Sequence, residues 1–271
     1  MPTIDVYEFR NRFKDAKSMA IVGNSQTILN WPNGHLIDSY DVVVRFNQAR
    51  TQGLEAQVGR RTDVLVANEA NRLDKSPAPG ERLAPRCIVC FTRPNREIDI
   101  EALREWAGEL PTLITLAPDI LGFDVGLRSR PLTQGTYALY ALPRLFPVER
   151  LFVTGFTMYG AVPGGASNVY APDRKKAGSW HDLDQEARLF AAILAAFPGE
   201  LKTTEEVAAL MQRSGHRRPD NPTPAESSIG HKPSMYEYLM GRLAWSLLKW
   251  GIRLRRSLEA KSRIDFDPLK K

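Results

Sequence analysis

The segment Ala20-Ile21-Val22-Gly23-Asn24-Ser25 runs an apolar, strand-like stretch into a turn of small residues. In such a turn backbone N–H groups can approach an anion, and the side chains of Asn24 and Ser25 add donors suited to a phosphate. The spacing is not G-x-G-x-x-G, so a dinucleotide is not favoured, and an unliganded strand-to-helix turn fits these residues equally well. His181 is a lone imidazole able to titrate near neutral pH, but its place before the acidic start Asp182-Leu183-Asp184-Gln185-Glu186 also suits a surface residue. Asp182 and Asp184 spell D-x-D, a pattern that can hold a divalent metal; they fall in the first turn of an expected helix, where the macrodipole favours acids anyway. Asp265 and Asp267 repeat the pattern in the tail. Cys87 and Cys90 form a C-x-x-C inside an apolar stretch, without a second pair or nearby histidines, so they read as buried strand cysteines and not as a zinc or redox site.

Short aliphatic or β-branched runs bounded by turn residues must position these groups: Met19 to Val22, Val42 to Phe46, Val64 to Ala67, Cys87 to Phe91, Thr112 to Leu116 and Leu151 to Thr154. They read as strands buried on both faces. Between and after them, Ile98 to Trp106, Thr136 to Phe146 and Asp182 to Phe197 carry helical spacing, and Thr203 or Thr204 caps a further helix ending near Gln212. Alternation of this kind predicts an α/β layer fold. Residues 213–233 are rich in Pro, Ser, Asn and Gly and read as a linker. Residues 234–263 then read as one amphipathic helix, with Tyr236, Leu239, Leu243, Leu247, Trp250 and Leu254 on one side and Arg242, Lys249, Arg253 and Arg256 on the other. The chain therefore divides into a body (1–212), a linker (213–233) and a basic tail (234–271).

Of the 271 residues 43% are hydrophobic, enough for a sizeable core, which excludes global disorder. No apolar run approaches the roughly 18 to 20 residues of a membrane span, and the charged start offers no signal-peptide core. The net charge of +6 is uneven: from Arg213 onward 13 Lys and Arg face 6 Asp and Glu, leaving the body near neutral. A body without excess positive charge argues against nucleic acid as a partner.

Ile37-Asp38-Ser39-Tyr40-Asp41-Val42-Val43-Val44-Arg45-Phe46-Asn47, followed by Val58-Gly59-Arg60-Arg61-Thr62, closely resembles, together with Val22-Gly23-Asn24-Ser25, the large sialylmotif of glycosyltransferase family 29, the sialyltransferases. Pro131-Leu132-Thr133-Gln134-Gly135, with Thr154-Gly155-Phe156 after a helix and strand, is similar to the small sialylmotif. His181 through Glu186 is similar to the very small motif, H-x4-E, and Tyr170 to the short third motif. The resemblance spans roughly residues 19–186.

It implies a Rossmann-like, mostly parallel sheet with flanking helices, a GT-A-like variant, and an enzyme that moves a sugar from its CMP conjugate to a saccharide hydroxyl with inversion. Asn24, Ser25 and Asn47 then contact the nucleotide; Thr133, Gln134 and Gly135 hold cytidine and ribose; Tyr170 lies near the phosphate; His181 is the catalytic base; Glu186 is a structural partner. The pair Thr133-Gln134, where the family prefers two hydroxyl residues, hints at an altered donor pocket. No metal and no cofactor is expected, since CMP leaves with one phosphate that amides, hydroxyls and imidazole can stabilise. Met19 and a position near Phe146 stand where animal members carry a disulfide, and the usual membrane anchor has no counterpart. Both departures agree with a bacterial, cytoplasmic member working in a reducing compartment on surface polysaccharide or lipopolysaccharide. The donor is sialic acid or Kdo, which share a CMP leaving group and an anomeric carboxylate.

The tail could pack on the body, dimerise or lie in a membrane interface. Lys249, Arg253, Arg255, Arg256, Lys261 and Arg263 beside Trp245 and Trp250 suit an anionic bilayer, which places the enzyme on the inner face of the membrane with a saccharide or lipid-linked saccharide acceptor. Another reading is a catalytically inactive CMP- or polysaccharide-binding protein at the membrane surface, which need not keep His181.

Overall fold

The computed structural model describes residues 1–67, 83–92, 99–116, 132–146, 148–158 and 181–215. Tyr170, Pro131, most of the linker and the whole 234–263 segment lie outside the described residues.

Eight strands form one sheet: β1 (Thr3–Ile4), β2 (Ser18–Val22), β3 (Val42–Phe46), β4 (Val64–Ala67), β5 (Cys87–Thr92), β6 (Thr112–Leu116), β7 (Arg150–Thr154) and β8 (Glu200–Thr203). Their spatial order is β1-β6-β5-β4-β3-β2-β7-β8, and every pair is parallel. The helices among the described residues are α1 (Val6–Arg12), α2 (Gly34–Asp38), α3 (Glu55–Val58), α4 (Ile100–Ala107), α5 (Gln134–Leu145), α6 (Leu183–Ala195) and α7 (Glu205–Arg213), with a 3-10 turn at Gln26–Asn30. The α/β parallel architecture is as the alternation of elements predicts.

A parallel sheet needs cover on both faces, which is why its strands read as unbroken apolar runs. On one face Met19, Ile21, Val44, Val66 and Val89 pack with Phe9, Leu142, Phe190 and Leu210 from α1, α5, α6 and α7. On the other, Ala20, Val22, Val43 and Phe152 meet Ile28, Ile37 and Val58, while Leu65, Ile88 and Cys90 meet Leu103 and Trp106 of α4. Met19 and Phe146 are both buried in the first of these cores, where apolar packing holds β2 and the end of α5.

Cys87 and Cys90 are buried and unbridged, as the apolar surroundings predict. Three positions apart on a strand, they point to opposite faces and enter different cores, so they cannot share a ligand. Burial pushes the Cys87 thiol up to about 12, which keeps it protonated and unreactive.

Two strands and three short helices escape the sequence pattern. β1 is only two residues long, and β8 (Glu-Leu-Lys-Thr) is a half-exposed edge strand without an apolar run. α1 is a seven-residue helix whose capping box, Asp5 with Glu8, is its main local signal. α2 and α3 are single turns inside the stretch read as motif.

Candidate functional site

Because every strand runs the same way, the residues that follow them gather along one edge of the sheet. β2 is where the order reverses: the chain steps outward through β3, β4, β5 and β6, then returns to the other flank of β2 as β7. In open parallel sheets a crevice opens at such a switch point, at the carboxyl ends of the strands. Gly23, Asn24 and Ser25 follow β2, Asn47 follows β3, and Gly155, Phe156 and Thr157 follow β7.

The turns after β2 and β7 are pressed together. Gly23 N–H donates to the Thr154 carbonyl (2.8 Å) and Ser25 N–H to the Gly155 carbonyl (3.0 Å). A Cβ at Gly23 would sit 2.2 Å from the Gly155 oxygen, and Gly155 itself has φ of +74°, so both positions require glycine. Asn24 Nδ2 donates to the Phe46 carbonyl at the end of β3 (3.1 Å), while its Oδ1 is buried without a hydrogen-bond partner. Such an atom is an open acceptor for an incoming donor. Asn47 lies in the left-handed region (φ +51°), which asparagine tolerates, and its N–H caps the Val66 carbonyl. Ser25 caps the 3-10 turn, and its hydroxyl lies 3.0 Å from Thr27 Oγ1 and 3.2 Å from Thr157 Oγ1. Thr157 is a buried hydroxyl in this cluster that the motif comparison did not single out.

The Thr133-Gln134-Gly135 turn opens α5. Thr133 is its N-cap, yet its N–H and hydroxyl both go to Glu186 Oε1 (2.9 and 2.5 Å), as does the hydroxyl of Thr136. Glu186 is 1% exposed and thus staples the start of α5 to α6. Its carboxylate lies at the N-terminus of α5, where the helix dipole favours a negative charge. Gln134 is buried and its Nε2 donates to the Phe91 carbonyl at the end of β5 (3.1 Å); its Oε1 has no hydrogen-bond partner. Its amide therefore ties α5 to the sheet. Gly135 lies against Phe156, with a Cβ there only 2.7 Å from Cε1 of the ring. Phe156 also packs edge-on to Phe46 (5.8 Å) and against Phe190 of α6 (5.1 Å), so one ring touches residues from β3, α5 and α6.

His181 is half-buried and stands immediately before Asp182, the N-cap of α6, whose carboxylate accepts from Gln185 N–H (3.0 Å). Asp182 is therefore occupied as a cap, and Asp184 is exposed on the first turn. Among the described residues no group of three or more His, Cys, Asp or Glu could hold a metal ion. The structure brings Asn24, Ser25 and Asn47 to one edge with the Gly155 turn, and Glu186 links His181's helix to the turn of Thr133.

Most charged residues of the 37–63 stretch are scaffold. Asp38 accepts from the N–H groups of Arg60 and Arg61, closing the turn after α3. Asp41 accepts from Lys17 N–H, Ser18 N–H and the Ser18 hydroxyl. Partial burial raises the Asp41 pKa, but these hydrogen bonds outweigh it and leave the carboxyl below its ordinary value. Arg45 is fully buried and donates to the Val58 and Arg61 carbonyls and to Thr62 Oγ1. Asp63 accepts from Val43 N–H and from the Arg61 guanidinium.

Residues 3–82 match the family model of glycosyltransferase family 29 (sialyltransferase). The family resemblance is thereby borne out over residues 3–82; the blocks at 131–156 and 181–186 lie beyond the match. Over 51 residues the chain is 45% identical to a beta-1,6-galactosyltransferase of Arabidopsis thaliana, covering 19% of this chain and 13% of that protein. Over 52 residues it is 46% identical to beta-galactoside alpha-2,6-sialyltransferase 2 of Rattus norvegicus, covering 19% and 10%. The match thus spans about a tenth of these relatives' length. Among solved structures, a mammalian sialyltransferase is similar with TM-score 0.47 and 20% identity over 72% of this chain and 71% of that one. The sialyltransferase CST-II in complex with a trisaccharide acceptor and CMP has TM-score 0.47 and 13% identity over 69% and 80%.

Proposed function

We propose that this chain, whose residues 3–82 carry the family 29 signature, is an inverting glycosyltransferase that moves an acidic sugar, sialic acid or Kdo, from its CMP conjugate to a saccharide hydroxyl. The observation that carries this reading is the meeting of turns at the switch point of β2, where glycine-tight packing brings Asn24 and Ser25 beside the end of β3, which Asn47 follows, and Asn24 Oδ1 is buried without a partner. The Gly23, Ser25 and Asn47 N–H groups are spent on the Thr154, Gly155 and Val66 carbonyls, so recognition falls to side chains: the Ser25 hydroxyl accepts from Thr27 and Thr157 and keeps its own proton to give to a phosphate, while Asn24 Oδ1 can accept from a ribose hydroxyl or a base amine. His181 acts as general base: it takes the proton of the acceptor hydroxyl as that oxygen attacks the anomeric carbon, while CMP leaves from the opposite face. The charge on the departing phosphate is met by side-chain donors at these turns, the Ser25 hydroxyl first among them, without a metal or cofactor.

Nucleotide release, CMP from CMP-sialic acid and CMP-Kdo and UDP from UDP-galactose, each with and without EDTA, tests the donor. UDP-galactose belongs in the set because one relative is named a galactosyltransferase. Release from a CMP-sugar that survives EDTA is expected; turnover of UDP-galactose alone would overturn the donor assignment. Calorimetry with CMP tests the nucleotide site: Asn24→Ala and Asn47→Ala should each weaken binding by about 1 to 3 kcal/mol, the cost of leaving a polar group of the bound nucleotide without its partner. Wild-type affinity in both variants would put the nucleotide elsewhere.

The place of work is proposed to be the inner surface of a bacterial membrane, with catalysis in residues 1–212 and membrane contact in 234–263, in the service of surface polysaccharide or lipopolysaccharide synthesis. No helix among the described residues is long and apolar enough to cross a membrane. The support is the sequence pattern of the tail, where Trp250 and the leucines share a face that can bury while Lys and Arg meet anionic lipid. Each basic residue near such a surface contributes about 1 kcal/mol. Full-length protein should pellet with anionic vesicles, hardly with neutral ones, and partly dissociate at high salt. Replacing Lys249, Arg253, Arg255 and Arg256 by Gln should lower vesicle affinity about 100-fold or more. Unchanged pelleting of that variant would remove the electrostatic part of the proposal.

A further inference from the structure

Glu206 lies on the second position of α7, outside every motif block, yet its carboxylate reaches the Gly155 turn. Its Oε1 accepts the Gly155 N–H (3.0 Å), a bond between residues 51 positions apart. The same oxygen lies 2.5 Å from Thr204 Oγ1, which in turn lies 3.1 Å from Thr154 Oγ1. Thr204 therefore spends its side chain on this chain of bonds and makes no side-chain cap for α7. Glu206 is 8% exposed, and its Oε2 is buried without a hydrogen-bond partner. Among the described residues no Lys, Arg or His forms an ion pair with it.

A carboxylate held in the interior without a cation is costly, and a glutamate serving only helix α7 would sit as well on the surface. What this one holds is the Gly155 peptide. The carbonyl of Gly155 takes the Ser25 N–H, and its oxygen stands where a Cβ of Gly23 would go, so the Gly155 peptide is one wall of the Gly23–Ser25 turn. Glu206 grips this residue by its N–H while its carbonyl grips the other turn.

We propose that Glu206 is a positioning residue for the nucleotide crevice: it fixes the Gly155 peptide and, through it, the Gly23-Asn24-Ser25 turn. The inference rests on the nucleotide reading given above and assigns that site a support from the far edge of the sheet. It parallels Glu186, which anchors the Thr133 turn with the same chemistry, a buried carboxylate on a backbone N–H and a threonine hydroxyl.

The test compares full-length Glu206→Ala, Glu206→Gln and Val207→Ala. Val207 is fully buried on the same helix but packs in the core, so its truncation destabilises α7 without touching Gly155. Three quantities are read: CMP affinity by calorimetry, melting temperature, and hydrogen exchange of the Gly155 amide without ligand. Glu206→Ala should weaken CMP binding by about tenfold and speed exchange at Gly155 by about tenfold or more. Glu206→Gln, which keeps a carbonyl oxygen for the Gly155 N–H, should restore CMP affinity to within about threefold of wild type. Val207→Ala should lower the melting temperature and leave CMP affinity alone. The proposal is overturned if Glu206→Ala binds CMP as wild type does, or if CMP affinity follows melting temperature across all three variants. A wild-type protein that binds no CMP would instead bring down the nucleotide reading, whatever the exchange rates.

Discussion

Replacing His181 by alanine is expected to lower turnover about 100-fold or more while leaving CMP affinity within about twofold, because the general base catalysis proposed for it contributes on that scale and the proposed nucleotide contacts lie on other turns. The substitution is structurally mild. The Asp182 cap on Gln185 N–H and the Glu186 staple to Thr133 and Thr136 use other side chains, so α6 and the start of α5 should keep their places. Steady-state kinetics on the CMP-sugar that the wild type uses gives the decisive numbers. A fall in kcat with unchanged donor KM is expected. Full activity in His181→Ala would show that the acceptor proton leaves by another route.

Arg45→Met should cost about 3 to 5 kcal/mol of stability, because several buried acceptors lose a charged donor at about 1 to 3 kcal/mol each. In a body of this size that is a drop of about 10 °C in melting temperature. The guanidinium is fully buried, and its loss leaves the Val58 and Arg61 carbonyls and Thr62 Oγ1 without this donor. Methionine fills part of the volume but can donate to none of them. Arg61→Met is the comparison: its guanidinium bonds the Asp38, Tyr40 and Asp41 carbonyls and Asp63, but its side chain is 42% exposed and water can replace it. A loss of about 1 kcal/mol is expected there. Calorimetric melting of both variants checks the difference, and equal losses would mean that burial is not what makes Arg45 matter.

Arg45 also marks the limit of what the sequence made legible. Its position in the motif is plain, but whether a motif arginine faces a ligand or the scaffold depends on the turn that wraps it, here Val58 to Thr62. The strands β2 to β7 were readable because a strand buried on both faces has to be an aliphatic run, as Val42-Val43-Val44 and Cys87 to Phe91 are. β8 carries Glu200 and Lys202 toward solvent at the sheet edge, and so has no such run. Asn24, Ser25 and Asn47 were legible as a turn chemistry. Glu206 and Thr157 were not, since their partners are set by which strands become neighbours. Gln134 shows the same thing: its amide is answered by Phe91, a residue in another strand.

The pairing of β2 with β7 has a consequence for the order in which the molecule is made. β2 meets β3 almost at once, but its other neighbour is more than a hundred residues downstream, and Ser25 finds Thr157 across 132 positions. Closing so large a loop is slow, and its entropy is lost before any contact rewards it. During synthesis the first half of the chain can build β2 through β6 in succession, each added beside the last. The flank of β2 that faces β7 stays open until the ribosome has delivered Thr154, and α7 must follow before Gly155 is gripped. The crevice is thus among the last parts of the sheet to exist. Until then an unpaired central strand edge is on offer to any other extended chain, which makes nascent protein the form most exposed to aggregation.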